Sequence, residues 1–212
     1  TVPTGESDTD VALRRELAER LLPSALVGAD ALAVHRLLRR LNAARALAAE
    51  EAGDETAPIP LTVADLVDDP ETWRATLEKG AEAPGRRGWN DRSLARALTK
   101  AAAMWEIAAS GGERPQERLW ALWEACGVGE DWRSRAIRSD EASAWFDDQL
   151  DAVVALMRVA DVWEQRNPAG SAVQFASELL SGSVPIDTIS RVGVRSGGVE
   201  VLTPAQAMGR RW

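Results

Sequence analysis

The chain has no tyrosine, one cysteine, one histidine and two lysines in 212 residues, and each scarcity closes a class of chemistry. Cys126 has no partner for an intrachain disulfide, so no oxidised framework holds the fold. Its neighbours Trp120, Leu122 and Trp123 make an apolar helical context, which reads as a buried, inert thiol. His35 has no second histidine or cysteine nearby, so a metal site of the ordinary kind is excluded. No nucleophilic Ser or Cys motif accompanies it either, so it lacks a partner for general-base work. Neither Lys79 nor Lys100 follows a Gly-x-x-x-x-Gly spacing, and the phosphate-cradling loop of nucleotide hydrolases is absent. The glycines at 193–198 lead into an extended run rather than a helix, so they form a turn and not a phosphate site. No apolar run approaches the roughly 18 residues of a membrane span. No leader pattern is present. The expectation is a soluble, cytoplasmic chain.

What is present is leucine, alanine, arginine and nine tryptophans, with a formal net charge of −8. That charge argues against a protein that coats nucleic acid non-specifically, though it leaves room for a local basic patch. Leu13, Leu17 and Leu21 give residues 10–22 a helical face ended by Pro23. Asp30 is placed to cap a helix over 31–51, with Leu32, Leu37, Leu38, Leu41 and Leu47 as its apolar side. Thr62 and Asp65 resemble a capping box, and Asp69-Pro70-Glu71 starts a further helix. Residues 80–90 read as a loop before a helix over 91–109. Pro115 to Cys126 reads as a helix stopped by Gly127, and 131–138 as short and irregular. The helix over 141–165 is expected to be the longest. Trp145, Phe146, Leu150, Val153, Val154, Met157 and Ala160 spread over more than one stripe, which suggests a central place in the core. One more helix follows over 169–180.

The sum is an all-α, irregular bundle of seven or eight helices over residues 1–189. Residues 190–212 stand apart. The Val-Glu-Val-Leu-Thr run at 199–203 alternates like a half-buried strand, and 191–195 also looks extended. An unpaired strand at a chain end is a hazard, so the expectation is a piece of a larger protein, cut as it enters a β-containing domain.

Few residues carry chemistry. Asp147, Asp148 and Asp151 share a helix face and could hold Mg²⁺, but a solvated acidic face explains them better. Arg36, Arg39 and Arg40 lie within two turns beside His35. Arg92, Arg96 and Lys100 form an i, i+4, i+8 stripe directly after Arg86 and Arg87. Such stripes can follow a phosphate backbone, and they can equally be an ordinary solvated face. The tryptophans mostly stand at core spacing; Trp89, in the Arg-Arg-Gly-Trp stretch, is the best candidate for base stacking.

Three stretches resemble UvrD/Rep-type superfamily-1 DNA helicases. Thr203, Ala207, Gly209 and Trp212 fall on the Thr-x-x-x-Ala-x-Gly-x-x-aromatic motif that couples nucleotide and DNA in the second motor domain. Ala205, Met208 and Arg211 replace the His, Lys and acidic residue usual there. Residues 22–39 are similar to the Gly-loop-helix that opens the accessory 2B subdomain, with Gly28 in the turn. Residues 119–127 and the helix around 151–156 are similar to the actinobacterial group that includes the AdnA and AdnB motor-nuclease subunits.

The resemblance implies a 2B-type accessory subdomain in a parent that hydrolyses ATP with Mg²⁺ and unwinds DNA in repair or recombination. It implies no catalytic residue, metal or ATPase in this stretch. The expected DNA contacts are Gly28, Arg36, Arg39, Arg40, Arg86, Arg87, Arg92, Arg96 and Lys100, with Thr203, Gly209 and Arg211 serving the motor. The rival expectation is a helical module that docks a partner helicase-nuclease subunit without touching DNA.

Overall fold

The computed structural model describes residues 8–53, 57–83, 85–110, 114–138 and 142–183. All regular structure among the described residues is helical, and nine helices are found there, against the seven or eight that the sequence suggests. The extended stretches at 191–195 and 199–203 lie outside the described residues. The chain divides into two compact units, Thr1–Asp131 and Trp132–Trp212. The 189/190 boundary expected from the sequence lies outside the described residues.

The first unit contains α1 (Asp8–Leu21), α2 (Ala31–Glu51), α3 (Val63–Asp68), α4 (Glu71–Ala81), α5 (Arg86–Ala109) and α6 (Pro115–Cys126). Local chemistry sets most of these boundaries. The Asp30 carboxylate accepts from the backbone N–H groups of Leu32 (2.8 Å) and Ala33 (3.2 Å), closing the first turn of α2. Asp65 accepts from both the backbone N–H and the hydroxyl of Thr62 at the head of α3. Asp69 does the same for α4, accepting from the Glu71 N–H and the Thr72 hydroxyl. Gly127 ends α6 in the left-handed region at φ 59°, a conformation that favours glycine.

The expected loop over 80–90 is largely helix. The α4 helix runs to Ala81 and α5 begins at Arg86, so the turn of this helical hairpin is short. Its glycines serve close approach rather than a loop. A Cβ on Gly88 would lie 2.1 Å from the carbonyl oxygen of Ala83, and one on Gly80 would lie 1.9 Å from Asp91 Oδ2. The α5 helix then packs on α3 and α6, while α1 packs on α3, and α2 touches α4 and α5.

The core of this unit gathers Leu22, Val34, Leu37, Leu66, Trp73, Leu77, Leu98 and Met104. Burying such side chains contributes roughly 1.5–3 kcal/mol each. The buried indole of Trp73 donates its N–H to the Leu66 carbonyl (2.8 Å). Asn42 pins the segment before α3 by bonding both the N–H (2.7 Å) and the carbonyl (3.1 Å) of Leu61. Two apolar faces read from the sequence are borne out in part. Leu37 and Leu41 of α2 are buried as expected, and Leu21 and Leu38 pack against the core, but Leu13, Leu17, Leu32 and Leu47 are exposed, and Ala18 and Val34 are buried beside them.

The boundary between units falls inside α7 (Gly129–Ala136), which replaces the irregular stretch expected at 131–138. Its acids, Glu130 and Asp131, sit in the first turn and Arg133 and Arg135 in the last, the arrangement that the helix dipole favours. The second unit contains α8 (Ser143–Arg166) and α9 (Ala172–Leu180). The expected longest helix, α8, has 24 residues and is matched in length by α5. Its expected central role is also corrected. Burial falls on Ala155, Val159, Ala160 and Trp163 in its second half, while Trp145 and Val154 are exposed. Trp163 packs edge-on against Phe175 of α9 and donates to Glu178 (2.7 Å). Near α7, Trp132 and Phe146 each meet Trp145 edge-on.

Candidate nucleic-acid interface

Two cationic clusters expected from the sequence sit on α2 and α5, and the packing treats their members unequally. Arg40 of α2 reaches across to α5 and α4. Its guanidinium lies 3.4 Å from Asp91 Oδ2 and donates to the Thr76 carbonyl at 3.4 Å. Asp91 is buried, and the missing Cβ of Gly80 leaves room for its carboxylate. Arg40 is thereby held in one place with part of its surface still open.

Beside it is an open pocket of about 490 Å³, lined by Arg40, Thr76, Lys79, Gly80 and Arg87 among others. Lys79 and Arg87 are exposed, and neither has an ion-pair or hydrogen-bond partner among the described residues. The pocket therefore carries two cations without an ion pair among the described residues, beside one anchored Arg–Asp pair. Arg87 stands in the first turn of α5, where the helix dipole disfavours a cation and favours a bound anion.

Other expected contacts are committed elsewhere. Arg92 donates to the Ala81 carbonyl (2.6 Å) at the end of α4, and Arg96 donates from Nε to the Arg92 carbonyl (3.4 Å). Lys100 is half-buried and donates to the Leu26 carbonyl (3.1 Å), which pins the Gly28 turn to α5. The turn itself spends its amides internally. Val27 and Gly28 donate to the Ser24 carbonyl and Ala29 to the Leu22 carbonyl. Gly28 keeps φ at 74°, but these three N–H groups are taken, and the Asp30 carboxylate occupies the next helix N-terminus. Arg36, Arg39 and Arg86 are exposed without partners among the described residues.

Sequence reasoning missed Lys79 and Gly80, which line the pocket with Arg40, and Asp91, which anchors Arg40. Asp91 offered a signal, being the one acid among five cations between 86 and 100. Arg118 was also missed. It is buried and donates to the Ile107 (2.7 Å) and Ala108 (2.9 Å) carbonyls, closing the end of α5.

The motor-motif residues Thr203, Ala207, Gly209, Arg211 and Trp212 lie outside the described residues. Among the described residues no group of three or more His, Cys, Asp or Glu is arranged to hold a metal ion, Asp147, Asp148 and Asp151 included. No helix among the described residues is long and apolar enough to cross a membrane. No family model, curated protein or solved structure matches the chain.

Proposed function

We propose that this chain is a helical accessory module that grips the phosphate backbone of DNA, in the manner of the 2B subdomain of a superfamily-1 helicase. The observation that carries the reading is the pocket at the α2–α4–α5 junction, where Lys79 and Arg87 stand without partners among the described residues beside the anchored Arg40. Excess positive charge in a chain of net −8 is a local investment, and backbone phosphates are the ligand that suits it. Arg36, one turn before Arg40, and Arg39 extend the cationic surface along α2. Contacts of this kind set position and are indifferent to base sequence. On this reading ATP and Mg²⁺ belong to the motor domains of a cytoplasmic parent enzyme acting in DNA repair. The module holds duplex DNA ahead of the motor.

The test is binding to a forked duplex at low salt. Wild-type chain binds, and Lys79→Ala/Arg87→Ala weakens binding about equally for unrelated sequences. Binding that is absent, or unchanged by the double substitution, removes the reading.

One observation favours the alternative of partner docking. Val173 and Leu180 of α9 are 73% and 89% exposed and seven residues apart, so one face of this helix is apolar and open. A partner helicase-nuclease subunit would cover it. Loss of co-purification of such a subunit on Val173→Ser/Leu180→Ser, with DNA binding intact, would establish that role.

A further inference from the structure

The outward face of α5 differs in chemistry from the groove. Trp89 is 59% exposed in the second turn of this helix. Two other described tryptophans are comparably exposed, and each has an internal use. Trp120 donates its indole N–H to Glu124 (2.9 Å), and Trp145 meets Trp132 and Phe146 edge-on. Trp89 has neither a ring neighbour nor a hydrogen bond among the described residues. More than half of the side chain is open to solvent, where an unburied indole forgoes the stabilisation that burial would give.

Its surroundings are cationic. Arg86 and Arg92 lie three residues to either side, about 4.5 Å along the axis, and Arg96 lies seven residues on, about 10.5 Å. All three are exposed. Arg92 and Arg96 each make a single bond to a backbone carbonyl and keep their charge. Asp91, the one carboxylate of α5 between Arg86 and Lys100, is buried and paired with Arg40. The outward face of this stretch is therefore positive and contains no acid of its own.

We infer that this face binds an unpaired nucleotide, with its base stacked on Trp89 and its flanking phosphates held by Arg86, Arg92 and Arg96. A flat, open indole between guanidinium groups matches what a single strand offers, a π-face and a charge at every step. In a duplex the π-faces are covered by neighbouring bases, so the same surface would gain only the charge. The inference rests on the nucleic-acid reading for its class of ligand, but it uses different residues from the groove. The two faces together would seat a fork: duplex in the groove, one separated strand along α5.

The test compares labelled oligothymidylate, labelled oligouridylate and a blunt duplex, each titrated with the wild-type chain, W89A, W89F and the K79A/R87A double variant. Because Trp89 is exposed, W89A should keep its fold, and far-ultraviolet circular dichroism checks this. W89A should weaken single-strand binding by roughly five- to a hundredfold, W89F should restore most of it, and duplex binding should not change. Preference between the two oligonucleotides shows whether the strand is DNA or RNA. Unchanged single-strand binding in W89A overturns the inference while leaving the groove reading intact if K79A/R87A still weakens the duplex. Loss of self-association or of a protein partner in W89A, with single-strand affinity preserved, also overturns it. Absence of any nucleic-acid binding removes both readings.

Discussion

Between residues 8 and 131, helices are fastened by long cationic side chains reaching backbone carbonyls on other elements. Arg40 reaches Thr76, Arg92 reaches Ala81, Lys100 reaches Leu26, and Arg118 reaches Ile107 and Ala108. Residues 132–183 are joined by rings. Trp132 and Phe146 meet Trp145, Trp163 meets Phe175, and the Arg135 guanidinium lies 5.1 Å from the Phe146 ring centre. The contrast explains why a count of arginines overstates a binding surface. A cation bonded to a carbonyl still carries charge, but its geometry serves the fold. The cations that no bond holds gather in the first unit at the start of α5 and beside it on α4 and α2, while Arg92 and Arg96 offer charge from positions fixed by a carbonyl bond.

The comparison can be broken most forcefully at Trp73. Trp73→Ala empties a buried indole site and leaves the Leu66 carbonyl without its donor, at a cost of about 3–5 kcal/mol. Amide hydrogen exchange should then show lost protection in α3, α4 and α5, with α8 protection retained. Equal loss in α8 would mean that the two units do not behave as separate cooperative bodies.

A second test falls on the hairpin that shapes the groove. Gly88→Ala drives a methyl into the Ala83 carbonyl, which is backbone and has little freedom to yield. Overpacking of this kind costs about 1–3 kcal/mol. Denaturant unfolding should show a lower midpoint with an unchanged slope, and DNA affinity should fall with it. Gly170→Ala gives the matching case in the second unit, because its Cβ would lie 2.2 Å from the Trp163 ring. There the clash falls on a side chain, and DNA affinity should be unaffected.

Short-range chemistry was readable in the sequence. Asp30, Thr62 with Asp65, Pro115 and Gly127 each mark a helix end through a bond or dihedral set within a few residues, and the structure places helix ends beside each of them. Long-range chemistry was not. Gly80 and Gly88 look like loop residues until Asp91 and the Ala83 carbonyl are seen to need the space. The Arg92–Arg96–Lys100 stripe is periodic, yet nothing local says that two of its members reach carbonyls on α4 and in the Gly28 turn. Nothing local marks Lys79 as a binding residue, because its value depends on Arg40, far off in sequence, and on Arg87 across the α4–α5 turn. Leu47 shows the limit of periodicity: it fits an apolar stripe but is 60% exposed. Leu47→Gln should therefore change stability by no more than about 0.5 kcal/mol, the smallest effect of the set, as read from the denaturant midpoint. A larger loss would mean that a partner or a further part of the fold covers this face.

The central claim is that Lys79 and Arg87 contact phosphates. The dependence of duplex affinity on salt counts such contacts, since each one contributes about −0.9 to the slope of log K against log salt concentration. Wild-type chain and Lys79→Ala/Arg87→Ala should be titrated with the same duplex across a salt series. The account predicts a slope shallower by about two contacts in the double variant, with weaker binding at every salt concentration. Superimposable slopes and affinities would contradict it.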